Sequence, residues 1–193
     1  MTKWLSHRMV ERGIIKEEEQ ELYQFGIRNG MILLLNVVTA LVIGLLTEQL
    51  AVVAVFTLSF MVLRSYTGGY HSDSRIFCYL GSNLVLLVPV YTQAVFYKTS
   101  LAWLLAVLLV SAGIIFLLSP MHSKNRKLDK EEQKHFGRKA RLIVALELAV
   151  LGILWHAGQI PYAYAVYTGI CITALFMLIG KAQLWIQSHT ENR

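Results

Sequence analysis

Apolar residues fall in long blocks separated by short polar punctuation. From Gly30 to Leu63 the only charged side chain is Glu48, and from Gly81 to Leu118 the only one is Lys98. Two further blocks run from Leu142 to His156 and from Pro161 to Gly180. A bilayer-crossing helix needs roughly 17 to 25 mostly apolar residues. Each of the first two blocks therefore fits a pair of spans, and the last two blocks make a third pair. The pattern predicts an all-α, polytopic integral membrane protein with six spans, near 30–46, 49–63, 80–97, 101–118, 140–157 and 161–180. Thr47 to Gln49, Tyr97 to Ser100 and His156 to Pro161 form the tight connections. Pro161 suits the first turn of a helix, where its missing donor would have no partner anyway. Asn36, Thr39 and Thr57 are expected to bond between helices.

Composition agrees with this pattern. Of the 193 residues 55% are hydrophobic and 16% charged, against about 25% charged in a soluble domain. Residues 1–28 mix charge and apolar groups without the short apolar core of a cleavable leader, so the first span is expected to insert the chain. The whole chain reads as one membrane domain. Within it, 1–28 is a cytoplasmic or interfacial segment and 119–139 a basic cytoplasmic loop. The net charge of +6 does not point to nucleic acid, because the basic groups border apolar blocks and form no recognition helix or aromatic-basic stripe. Seventeen of the 18 Lys and Arg side chains lie in the two termini and in the second and fourth connections, and Lys98 alone lies in the others. The positive-inside rule then places both termini and those two connections in the cytoplasm of a cell membrane. Basic residues there would meet anionic lipid headgroups.

The second connection holds the chemistry. Residues 64 to 78 read RSYTGGYHSDSRIFC. Histidine is a base near neutral pH, and cysteine is a nucleophile once deprotonated. His71 and Cys78 would suffice for covalent acyl transfer if brought together. Seven residues of continuous helix would separate them by about 10.5 Å of rise, so the pair requires a break in the helix. Gly68 and Gly69 allow a bend, and Ser72, Asp73 and Ser74 are turn or cap residues. The expectation is a broken or re-entrant segment with Cys78 near the start of the next helix, where the helix dipole favours thiolate. On residue types alone, three readings stay open: a catalytic pair, a structural interfacial loop, and a metal or transport role. His71, Cys78 and Asp73 make a poor zinc set, since more ligands are needed. No metal and no cofactor is expected. Cys78 and Cys171 form no disulfide framework; Cys171 has apolar neighbours and reads as a core residue.

Taken together, Arg64, Gly68-Gly69, His71 and Cys78, with Ser119-Pro120 and Asn125-Arg126 in a later basic loop, resemble the accessory gene regulator protein B family (AgrB). These are membrane cysteine peptidases of quorum sensing. The resemblance covers the whole chain. It implies that His71 and Cys78 are the catalytic dyad. It also implies a partner, a short amphipathic precursor peptide with an acidic C-terminal tail. The tail would be cut off through an acyl-enzyme thioester, and the signal closed into a thiolactone or lactone. Thr67 and Tyr70 stand where small residues are familiar in relatives, which would alter substrate fit. Backbone donors near Cys78, or Ser82 and Asn83 one turn further on, are candidates to hold the oxyanion. Asp73 is a candidate to orient His71, and Arg64 to hold a tail carboxylate or the loop itself. Asn125 and Arg126 lie in the segment whose charge could attract the acidic tail. Small residues on the spans would let two copies pack as a homodimer. Glu147 lies inside the fifth span, where a carboxylate must find a partner or face the bundle. It underlies the rival reading, a small non-enzymatic transporter or scaffold.

Overall fold

The computed structural model describes residues 2–68, 75–121 and 129–190, of which 2, 75–78, 130 and 187–190 are described by their backbone alone. Every secondary-structure element among them is helical. Contacts divide the chain into two compact units, residues 1–39 and 40–193.

The first unit opens with α1 (Thr2–Glu11). Its Ser6 hydroxyl is buried and donates to the Lys3 carbonyl, and the Arg8 guanidinium lies 5.2 Å from the Trp4 ring centre. Gly13, at φ 66°, ends the run. A short 3-10 turn (Glu17–Glu19) leads into α2 (Gln20–Leu46). The Lys16 amide donates to the Glu19 carboxylate at 3.2 Å, satisfying one of the donors a helix start leaves free. The helix therefore begins ten residues ahead of the predicted span. Its 27 residues extend about 40 Å, more than the roughly 30 Å hydrocarbon layer. Leu33, Leu34 and Leu35 are exposed at 48%, 64% and 49%, which lipid accommodates and water would not.

The second unit is a bundle. The last turns of α2 pack on α3 (Leu50–Thr67) across a turn in which Glu48 takes φ 57°. After it come α4 (Arg75–Tyr91), α5 (Gln93–Lys98), α6 (Leu101–Leu118), α7 (Lys130–His156) and α8 (Ile160–Thr190). Among the described residues four helices are long and apolar enough to cross a membrane, with a shorter apolar stretch at Tyr79–Tyr91. This is an all-α membrane protein.

α8 is the interior helix. Two-thirds (67%) of its apolar window is buried, against 33% or less for the other three. Small residues allow this: Ala163, Ala165 and Ala174 are buried beside Ile170 and Met177 and let neighbouring backbones close in. One cluster joins Leu63 of α3, Leu108 and Ile115 of α6, and Val144 of α7 onto α8. A second joins Ala40, Phe56 and Leu86 onto Ala165 and Ile172.

Polar side chains in these helices mostly bond to their own backbone. Thr57 donates to the Val53 carbonyl at 2.6 Å and Thr39 to the Leu35 carbonyl at 2.9 Å. In lipid every hydroxyl needs an acceptor, and the carbonyl four residues back is always in reach. Two further expectations change. The predicted span 80–97 is interrupted: α4 carries Pro89 internally and stops at Tyr91, and α5 restarts after Thr92. Proline removes one ladder donor and crowds the preceding turn, while the Thr92 hydroxyl pairs with Tyr164 of α8 and fixes the interruption. The basic loop 119–139 is loop only in part, because α7 already begins at Lys130. Asp129 accepts from the Glu132 amide at 2.7 Å and Glu132 accepts from the Asp129 amide at 3.4 Å, a reciprocal cap.

Candidate functional site

The last turn of α3 is locked to three other segments. Leu63 and Thr67 are fully buried. Gly68 follows at φ 70°, ψ −151°, a region open essentially to glycine alone. Its amide donates back to the Arg64 carbonyl at 3.3 Å and closes the helix. The Arg64 guanidinium donates to the Gly68 carbonyl at 2.5 Å and lies 5.4 Å from the Phe176 ring centre of α8. Thr67 also points its hydroxyl at the Gly68 carbonyl, 3.3 Å away.

The segment after α6 docks on this turn. The Met121 amide donates to the Thr67 carbonyl at 2.9 Å. A Cβ on Gly68 would stand 2.7 Å from the Met121 carbonyl oxygen, so the two backbones touch because the residue is glycine. Behind them the Ser119 hydroxyl is buried and donates to Ile115 at 2.5 Å. α7 presses on the same turn through Gly137, whose hypothetical Cβ would lie 3.1 Å from the Pro120 ring. The Tyr66 ring lies tilted against Phe136, 6.2 Å between centres, and 5.6 Å from the Lys139 ammonium. The connection that begins at Gly68 and the one that runs on from Met121 thus leave from one dock at the same end of the bundle.

Gly69, His71, Asp73, Asn125 and Arg126 lie outside the described residues. Cys78 is the fourth residue of α4, in its first turn. α3 therefore ends at Thr67, with Gly68 as its cap, ahead of Cys78. Ser82, one turn beyond Cys78 on the same face, is partly buried and already engaged. Asn83 donates its amide to the Tyr79 carbonyl of its own helix at 3.0 Å. Its Oδ1 is buried without a partner among the described residues.

Glu147 sits apart from this dock. Ser59 of α3 donates to its carboxylate at 2.9 Å. Gly169 of α8 makes room for that bond, since a Cβ there would lie 2.5 Å from the Ser59 hydroxyl. Glu147 therefore joins α3 to α7 at their crossing with α8. Cys171 lies against Ser111 and Tyr167 inside the bundle.

The sequence pointed to the glycines, Arg64 and Ser119-Pro120 but missed Phe176, Gly137 and the Thr67–Met121 pairing. A glycine in the otherwise charged start of α7 was the one readable signal.

A family model described as Accessory gene regulator B matches residues 1–179. The chain is 26% identical over 156 residues to the accessory gene regulator protein B of Staphylococcus intermedius, covering 79% of this chain and 80% of that one. It is 23% identical over 165 residues to a putative AgrB-like protein of Clostridium perfringens strain SM101, covering 81% and 77%. A second putative AgrB-like protein, from Clostridium perfringens strain 13, is 25% identical over 148 residues, covering 72% and 69%. No solved structure matches.

Proposed function

The chain belongs to the accessory gene regulator B family, with a role in quorum-sensing peptide processing, and from that premise we propose that it is a membrane cysteine endopeptidase acting through Cys78 and His71. The observation that carries this reading is the end of α3 at Gly68, followed by Cys78 as the fourth residue of α4. Backbone N–H groups at a helix start lack intrahelical partners, and the dipole is positive there. Both favour a thiolate and later an oxyanion.

The chemistry follows. His71 takes the proton of Cys78. The thiolate attacks the carbonyl at the junction of signal and tail in the precursor peptide. The tetrahedral oxyanion collapses, the C–N bond breaks, and the tail amine leaves with the proton from His71. A thioester to Cys78 remains. A cysteine or serine hydroxyl of the same peptide attacks that thioester, closes the thiolactone or lactone, and returns the Cys78 thiol. Exchange between thiols is near balance in energy, so the ring forms only where the site holds the peptide nucleophile close and keeps water out.

Arg64 acts here by holding the loop entrance, and the basic fourth connection starts from the same dock at Thr67–Met121. That charge suits an acidic tail, and the positive-inside bias places both at the cytoplasmic face. The test is mass spectrometry of the cognate precursor after incubation with reconstituted protein. Wild type releases the tail and yields a cyclic product, while Cys78→Ala and His71→Ala, inserted in the membrane equally well, do neither. An intact precursor with folded wild-type protein in lipid sinks the enzyme reading.

A further inference from the structure

The half of the bundle farthest from the Gly68–Met121 dock contains a cavity of about 250 Å³. It is lined by Phe96 of α5, Leu105 and Leu108 of α6, Gly152 and Trp155 of α7, and Tyr167 of α8. Its wall presents no polar surface. A smaller apolar cavity, roughly 150 Å³, stays dry and takes up a hydrocarbon ring, so water is a poor occupant here. The rim belongs to residues that face lipid: Leu101 is 53% exposed, Leu105 48% and Trp155 39%. Lys98 ends α5, three residues before Leu101, and is exposed. Among the described residues no carboxylate pairs with it. It is also the one Lys or Arg outside the four basic regions.

We propose that this cavity binds one acyl chain of an anionic phospholipid from the surrounding bilayer, with the headgroup phosphate beside Lys98. Gly152 contributes room in the wall, since a Cβ there meets nothing within 4 Å. Hydrocarbon fills a void that would otherwise leave the rings of Phe96, Trp155 and Tyr167 without contacts on one side. The lysine ammonium supplies attraction for the phosphate near the membrane surface. This site is separate from the peptidase chemistry and does not depend on it.

The test uses vesicles of phosphatidylcholine and phosphatidylglycerol in which the phosphatidylglycerol carries a diazirine on one acyl chain. After photolysis, labelled peptides are mapped by mass spectrometry. Labelling concentrated on Leu101–Leu108 and Leu151–Trp155 is the expected result. Gly152→Leu, which places a side chain in the void, should lower that labelling at least tenfold while circular dichroism stays unchanged. Lys98→Gln should remove the preference for phosphatidylglycerol over a labelled phosphatidylcholine. Uniform labelling of all lipid-facing helices overturns the proposal. So does loss of the cavity label on adding precursor peptide, or cross-linking of these positions to a second copy, because either assigns the cavity to another occupant. If Gly152→Leu loses helicity, Leu105→Phe takes its place, and the wild-type map still decides.

Discussion

Replacing Gly68 with alanine adds a single carbon at the point where two backbones meet. That carbon would stand 2.7 Å from the carbonyl oxygen of Met121, an atom that cannot rotate away as a side chain could. The backbone at Gly68, φ 70° and ψ −151°, costs a residue with a Cβ about 1–3 kcal/mol. Relief requires the Met121 segment to move off, which breaks its amide bond to the Thr67 carbonyl. A docked state raised by about 1–3 kcal/mol shifts docking by roughly 5- to 150-fold. Hydrogen exchange at the Met121 amide reads this directly and should quicken by that factor. Release of the precursor tail should fall in the same sample, with helicity retained. Gly113→Ala in α6 is the control: a Cβ there meets nothing within 4 Å, and alanine in a helix gains up to about 1 kcal/mol. If Gly68→Ala keeps both the Met121 protection and the turnover of wild type, the dock does not position the loop and the reasoning is wrong.

Other predictions concern the same helices. Arg64→Lys keeps a charge but not the planar guanidinium that reaches the Gly68 carbonyl; a charge-assisted bond is worth about 1.5–3 kcal/mol, so tail release should fall at least tenfold, and wild-type rates would remove Arg64 from the loop. Gly169→Ala drives a Cβ into the Ser59 hydroxyl, 2.5 Å away, and should destabilise the bundle by about 1–3 kcal/mol in thermal unfolding. Adding Ser59→Ala to it should restore part of the loss; an additive loss would argue against that contact. A double-mutant cycle of Ser59→Ala and Glu147→Ala should return a coupling of about 0.6 kcal/mol, the usual scale for bonds between membrane helices. Glu147→Gln keeps an acceptor for Ser59 and should keep tail cleavage. Loss of cleavage in that variant, with Cys78→Ser tolerated, would favour the transporter reading instead.

The sequence marked the apolar helices and several of their ends. Length of apolar run is a local property, and so is the turn at Thr47–Gln49, whereas α2 and α7 begin ten residues ahead of the spans expected for them. It also singled out Arg64, His71 and Cys78, through residue chemistry and family resemblance. It did not determine which helix is central or which faces meet. A soluble helix announces its buried face by a polar opposite face, but in lipid both faces are apolar and that signal vanishes. Only packing decided that α8 lies inside, because its alanines let α3, α6 and α7 close on it. Only packing decided that Glu147 meets Ser59 across the groove Gly169 leaves. The interruption at Thr92 depends on Tyr164, a partner far along the chain. The docking of Met121 on Thr67 and Gly68 is likewise a meeting of two helix ends. Sequence spacing does not encode it, because it depends on where α3 and α6 finish relative to each other in space.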